Sequence, residues 1–307
     1  MSETHSTAKL AVIILNWNAA DDTIRCAQYV SAWQHLRPTI WVVDNDSADD
    51  SVQIISHACP DAHLIANATN LGYAGGNNQG VKAALSAGNA LILLLNNDAS
   101  VDESDISRLL NTLGKDQRIG IIGPPLFDAN EKDRLLTAGG KNPVLNHHSH
   151  ILKLAPDEPP VRTVDYVPGT VLLARAEVFR TVGLLDEDYF FNTEVADLCM
   201  RARRHGYLSA IDTRARAFHA LDHRPSGIRE TLYVYYFVRN RFLFIRKFYR
   251  GRRIPLTLFW GLYSLALYLK LNVNEKPSMA RAVRLGLADG LRGRFGGQNE
   301  RVQPYPA

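Results

Sequence analysis

The feature that most constrains this chain is an alternation. Five short apolar runs, Leu10–Leu15, Thr39–Val43, His63–Ala66, Ala90–Leu95 and Ile119–Ile122, recur through the first 125 residues. Each is bounded by Asn, Asp or Gly, and segments of helical length separate them. An unbroken apolar run means a strand covered on both faces, and such strands belong to a mostly parallel, Rossmann-like sheet with crossover helices, an α/β architecture. Ligands of these sheets bind beyond the carboxyl ends of the strands. The residues there are polar after three runs: Asn16-Trp17-Asn18, Asp44-Asn45-Asp46-Ser47 and Asn96-Asn97-Asp98. One such cluster is usually a turn or a helix cap, whereas three on one rim point to a polar small-molecule site. Between them, Asn70–Gly80 carries Gly72, Gly75 and Gly76 followed by Asn77 and Asn78. Glycines there would let the backbone of a helix start approach phosphate or ribose. The segment is neither a Walker loop nor a dinucleotide fingerprint, which argues against ATPase and nicotinamide chemistry.

The middle of the chain is less regular. Residues 128–165 contain Gly139-Gly140, His147, His148, His150 and a proline-rich stretch, and read as a loop or hairpin excursion over the site; a solvated loop is favoured over a metal cluster. Val167–Arg175 reads as a strand leading into a helix from Ala176. A second helix is predicted from Thr193 to His205. On it Glu194 and Asp197 lie three apart and share a face, the arrangement of a general base or of first-turn acids facing a helix dipole.

Charge divides the chain. From Arg239 to Ala307 there are 14 Lys and Arg against 3 Asp and Glu, a net +11, while the preceding residues carry 21 against 28, a net −7. The basic part also holds the most apolar run, Ile254–Leu271, preceded by Arg246, Lys247, Arg250, Arg252 and Arg253. Basic residues beside an aromatic-rich apolar run suit a helix lying on an anionic membrane surface, with burial against the core or a second subunit as the alternative. Because the basic residues flank the apolar run, and do not interleave with a stacking surface, nucleic acid is disfavoured as a partner. Three cysteines without metal spacing (Cys26, Cys59, Cys199) indicate a reducing, cytoplasmic setting.

Taken in order, the rim clusters, Asn70–Gly80, Val167–Phe179, Gly183–Tyr207, His219 and Tyr235–Asn240 resemble the family-2 glycosyltransferases, in the branch containing rhamnosyltransferases of cell-surface polysaccharide assembly. The resemblance runs from about Ala8 to Lys247. It implies a GT-A fold, with a catalytic domain over 1–238 (a nucleotide-binding half over 8–125, an acceptor and catalytic half over 126–238) and a helical basic region over 239–307. It also implies inverting transfer of a sugar, with rhamnose first, from a dTDP- or UDP-sugar to a glycan or polyprenyl-diphosphate-linked acceptor at the inner face of the cell membrane.

By this resemblance Asn16, Asn18, Asp44, Asp46, Asn96 and Asn97 surround the nucleotide sugar, with the Asn70–Asn78 loop nearby. Asp98 occupies the metal-binding position of the family's acidic motif, here Asn96-Asn97-Asp98, and His219 matches the later metal-site histidine, with His223 as a possible substitute. Mg²⁺ or Mn²⁺ suits such hard ligands and a departing diphosphate. One departure stands out: relatives carry Glu-Asp-x-Asp at the start of the second predicted helix, and here it is Glu194-Val195-Ala196-Asp197. Valine takes no proton, so the base falls to Glu194, slightly favoured, or to Asp197. Otherwise the chain binds nucleotide sugars without turning them over.

Overall fold

The computed structural model describes residues 9–220 and 227–303. In chain order the elements are β1 (Leu10–Asn16), α1 (Ala20–Ser31), β2 (Thr39–Asp44), α2 (Ser51–Ala58), β3 (His63–Ala66), α3 (Gly72–Ser86), β4 (Leu91–Asn96), β5 (Ala99–Val101), α4 (Glu103–Lys115) and β6 (Ile119–Gly123). There follow β7 (Leu126–Asp128), β8 (Leu135–Thr137), β9 (Val161–Val164), β10 (Val171–Arg175), α5 (Ala176–Val182), α6 (Glu194–Arg204), β11 (Leu208–Asp212), β12 (Ala217–His219), α7 (Gly227–Phe248), α8 (Arg253–Val273) and α9 (Pro277–Arg292). All five apolar runs are strands, each within a residue of the expected bounds.

The main sheet has eight strands in the order β3-β2-β1-β4-β10-β6-β11-β9. It is mostly parallel, as expected; β10 and β9 run against their neighbours. Side chains alternate between two cores. Val12, Ile14, Leu93 and Leu95 pack with α1 and α4, while Ala11, Ile13, Ile92 and Leu94 pack with α3, α5 and α6. Burial on both faces is why these strands are continuous apolar runs in the sequence. In register, Asn16 lies beside Asp44, and Leu15 beside Asn96, so the three polar clusters share one rim. A second sheet, β5-β12-β7-β8, sits at that rim.

The expected boundary after Val238 falls inside α7, which continues to Phe248. Helices α7, α8 and α9 share a third core with the catalytic half, in which Val238, Phe242 and Trp260 meet Val144, Tyr189 and Ala196. The three cysteines are free thiols.

Candidate active site

Two clefts of about 650 Å³ each open on the rim. The first lies over the ends of β1 and β4 and is lined by Trp17, Arg25, Tyr73, Asn96, Asn97, Asp98 and Arg229. The second lies under the loop after β8 and is lined by His147, His148, Thr170, Glu194, His219, Tyr233 and Arg241. Tyr73 belongs to the first cleft and Gly169 to the second, and the Tyr73 hydroxyl donates to the Gly169 carbonyl at 2.7 Å. A Cβ on Gly169 would stand 2.9 Å from that hydroxyl and 3.1 Å from Val195, so the absence of a side chain keeps the dividing wall thin.

Asp98 and His219 stand where the clefts meet. Antiparallel pairing of β5 with β12 sets Ala99 opposite His219, and the Ala220 N–H donates to the Asp98 carbonyl at 2.9 Å. The His219 Nε2 is then 3.0 Å from Asp98 Oδ1. Among the described residues no three His, Cys, Asp or Glu side chains form a closed metal cage. One carboxylate and one imidazole are a donor set that fits a cation sharing its remaining positions with phosphate oxygens and water.

Glu194 opens α6 after a turn in which Phe190, Asn192 and Thr193 all have positive φ (62°, 70° and 81°). Such conformations are costly for side-chain-bearing residues and persist only when held from outside. The clamp comes from α7. The Asn240 amide donates to the carbonyls of Tyr189, Phe191 and Asn192 at 3.2, 2.8 and 2.6 Å. The buried Arg239 guanidinium donates to those of Asp188 and Tyr189, both at 2.8 Å. The turn thus delivers a carboxyl group that is only 6% exposed, and its Oε2 has no hydrogen-bond partner. Burial pushes Glu194 up from the ordinary 4.5 to about 7; its own backbone N–H opposes the rise and the Asp197 charge adds to it.

Asp197 is in a different state. It is fully buried, Oδ1 accepts from Arg201 Nε at 2.5 Å, and Oδ2 accepts from the Tyr189 hydroxyl at 3.1 Å and from the Lys247 ammonium. Both its oxygens are committed to joining α6, α7 and the turn. Of the two acids that share a helix face, one is locked into structure and the other borders a cleft with one oxygen unpartnered.

The profile of glycosyl transferase family 2 matches residues 11–154. A relative 30% identical, the low-salt glycan biosynthesis hexosyltransferase Agl10 of Haloferax volcanii, aligns over 76% of this chain and 74% of its own length. The chain belongs to the family-2 glycosyltransferases. A second relative, the N-acetylglucosaminyl-diphospho-decaprenol L-rhamnosyltransferase of Mycobacterium tuberculosis, is 27% identical over 92% of this chain and 99% of that one. Among solved structures, the mannosyltransferase PcManGT of Pyrobaculum calidifontis, in complex with GDP-Man and Mn²⁺, superposes with a TM-score of 0.59 at 12% identity. It covers 93% of this chain and 88% of that one. The fold is GT-A.

In this glycosyltransferase the structure sorts the sequence candidates. Asn96, Asn97 and Asp98 line the first cleft, with His219 in the second and Glu194 facing it. Asn18 and Asp46 are exposed on adjoining rim loops, both in left-handed backbone (φ 51° and 65°). Asn16 and Asp44 are at most 1% exposed and do not line the cleft: Asn16 donates to Asp44 at 2.7 Å, and the Thr23 hydroxyl donates to Asn16 at 2.7 Å. They support the rim from beneath, with Asn97 tied in through Thr23 at 3.0 Å.

Gly72, Gly75, Gly76, Asn77 and Asn78, expected at the nucleotide sugar, are likewise buried. The N–H groups of Leu71, Gly72 and Ala74 already donate to Asn45, Asn70 and the Phe190 carbonyl. A Cβ on Gly76 would meet Leu15 at 2.5 Å, and Gly72 holds φ +70° against Phe190, so these glycines permit α3 to pack on the sheet and on the turn. Asn77 donates to the Tyr73 carbonyl and Asn78 to Leu185 and Glu187. His147, His148 and His150 line the second cleft, and His223 lies outside the described residues. Sequence reasoning missed Trp17, half exposed on the first cleft, together with Arg25 and Arg229. An aromatic between two rim asparagines was the available signal for Trp17. The two arginines carried none.

Proposed function

We propose that the chain is an inverting, metal-assisted glycosyltransferase that moves a sugar, rhamnose first, from a dTDP- or UDP-sugar to a polyprenyl-diphosphate-linked or glycan hydroxyl. The observation that carries the reading is Glu194: a buried carboxyl group with one oxygen unpartnered, lining the same cleft as His219, whose imidazole meets Asp98 where the two clefts join. In this reading the first cleft takes the donor. Trp17 stacks on the base, Asn18 and Asp46 close over the nucleoside, and Arg25 and Arg229 offset diphosphate charge. Asp98 and His219 hold Mg²⁺ or Mn²⁺, which when bound would stabilise the departing nucleoside diphosphate. In the second cleft Glu194 removes the proton of the acceptor hydroxyl as it attacks the anomeric carbon opposite the leaving group, in one displacement without a covalent enzyme intermediate. A pKa near 7 leaves the base about half ionised at neutral pH and strong enough to take that proton. Asp197 and the Arg239–Asn240 clamp keep it in place.

Residues 239–307 would bring the enzyme to the cytoplasmic face of the membrane, where a lipid-linked acceptor resides. The outward face of α8 supports this: Ile254, Leu258, Leu262, Leu265, Leu269 and Val273 are all exposed, with Arg250, Arg252 and Arg253 at its start. The 24-residue stretch Arg250–Val273 is long and apolar enough to cross a membrane by length and composition, yet Trp260 and Ser264 are buried against the protein, which favours lying on the surface.

The test is release of nucleoside diphosphate from a panel of nucleotide sugars with Mn²⁺ or Mg²⁺ and a membrane lipid extract as acceptor source. The expected result is release that depends on the metal and is lost in Asp98→Ala. Donor binding without release under any of these conditions would favour a nucleotide-sugar-binding protein, as Val195 at the usual base position suggests.

A further inference from the structure

Arg241, on α7, is a buried cation with no anion beside it among the described residues. It is 4% exposed and lines the second cleft. Its guanidinium lies 3.6 Å from the Phe237 ring centroid and 4.0 Å from that of Trp260 on α8. Nε donates to the Pro143 carbonyl at 3.3 Å. Among the described residues Nη1 and Nη2 have no hydrogen-bond partner, and no carboxylate stands within ion-pair distance. Its neighbour Arg239 is equally buried, but donates to the carbonyls of Gly296, Asp188 and Tyr189. Arg241 leaves the strongest part of its fork unused.

The surroundings favour an anion. Among the described residues Glu194 is the only acid lining the cleft, against Arg241 and the imidazoles of His147, His148, His150 and His219. Burial, then the charges of His148 and Arg241, hold His147 below its usual range, and burial lowers His150. These two rings therefore face the guanidinium side of the cleft as neutral hydrogen-bonding groups, and the positive charge there rests on Arg241. A desolvated guanidinium is expensive unless paired, and its planar fork matches phosphate oxygens. The same wall is apolar: Trp260 donates to the Val144 carbonyl at 3.0 Å, Tyr263 meets the His147 ring at 4.9 Å, and both belong to α8, whose other face is the exposed apolar stripe.

We propose that Arg241 is the anion-recognition residue of this cleft, binding the phosphate group of an acceptor that is the phosphate or diphosphate ester of an apolar alcohol. The ester's hydrocarbon leaves the cleft along α8. Trp260 and Phe237 fix the plane of the guanidinium so that Nη1 and Nη2 are presented without further loss of side-chain entropy. The proposal rests on the reading of this cleft as the acceptor side. Turnover with water or a neutral glycoside as acceptor tests that reading without calling on Arg241, so the two can fail separately.

The experiment is calorimetric titration of geranyl diphosphate, geraniol and inorganic pyrophosphate into the full chain without divalent metal, alone and with UDP saturating the donor cleft. Wild type should bind geranyl diphosphate more tightly than either the alcohol or pyrophosphate, and UDP should leave that affinity unchanged. Arg241→Met should weaken it by about 10- to 100-fold, the worth of hydrogen bonds to a charged group, and leave geraniol unaffected. Arg241→Lys, which keeps the charge and loses the fork, should fall between. Equal affinity for diphosphate and alcohol, equal affinity for pyrophosphate and ester, loss of ester binding to UDP, or an unchanged Arg241→Met would each overturn the proposal. The wild-type comparisons decide even if Arg241→Met melts too low to use.

Discussion

Two carboxylates one helical turn apart, Glu194 and Asp197, have opposite fates, and the difference comes from their neighbours. Asp197 meets Arg201, Lys247 and the Tyr189 hydroxyl. Glu194 meets none of them, so burial raises it to about 7. In the unfolded chain a glutamate titrates near 4.5, so the folded protein binds the extra proton between those values. Glu194 therefore costs nothing below about 4.5, and the fold loses stability as pH rises through about 7. Glu194→Gln, neutral at every pH, should raise the melting temperature at pH 8 and change it little at pH 4. The gain at pH 8 should be up to ~3 kcal/mol, since each pH unit that separates the folded from the unfolded titration is worth about 1.4 kcal/mol. Melting curves of the two proteins at the two pH values check this; a gain of the same size at both would mean that ionisation of Glu194 is not the cause. The spacing of the acids is legible in the sequence. Which of them is free is not, because Lys247 and the clamping Asn240 stand about 50 residues further along the chain. The same blindness affects Asn77 and Asn78: an asparagine paired inside the fold and one facing a ligand look alike as letters.

At the scale of elements, the five parallel strands are legible because each is buried on both faces. Strand β10 is legible too, inside the expected Val167–Arg175 run that leads into a helix at Ala176. Strand β9 and the small sheet that carries His219 are less so, because their runs are short and their pairing depends on chain returns that leave no periodic mark. The glycines of α3 have the look of a phosphate cradle, whereas close packing on Leu15 and Phe190 explains them. Helix α8 is visible as an apolar run, but only the fold separates its two faces. Ser264 and Trp260 turn inward, and Leu258 and Leu262, 62% and 68% exposed, turn outward. Apolar side chains in line on one helix face beside a basic cluster bind anionic interfaces through buried area and charge together. The full chain should co-sediment with vesicles of phosphatidylglycerol, less with vesicles of phosphatidylcholine, and not at all after Leu258→Glu with Leu262→Glu. Wild type staying in the supernatant with both vesicles would contradict membrane docking, and a dimer broken by the same pair would identify a second copy as the cover.

Across the whole molecule, the polar rim of the eight-stranded sheet, the small sheet and the C-terminal helices converge on one junction. The sheet provides Asn96–Asp98, β12 returns His219 to Asp98, and α7 supports the strained turn that presents Glu194. Residues 239–303 are thus part of the site's framework, since Asn240 and Arg239 hold the turn from a helix that begins before the charge boundary. The central claim is that Glu194 takes the acceptor proton in a glycosyl transfer for which Asp98 and His219 serve the donor side. It is tested most directly by steady-state turnover of wild type, Glu194→Gln and Asp197→Asn against pH, on the donor that releases nucleoside diphosphate fastest. Wild-type turnover should climb with pH and level off above about 7. Glu194→Gln should bind donor normally and lose about 100- to 10,000-fold in turnover, the usual worth of a general base. Asp197→Asn should lose thermal stability first. Turnover of Glu194→Gln at the wild-type rate, with the same pH dependence, would contradict the account.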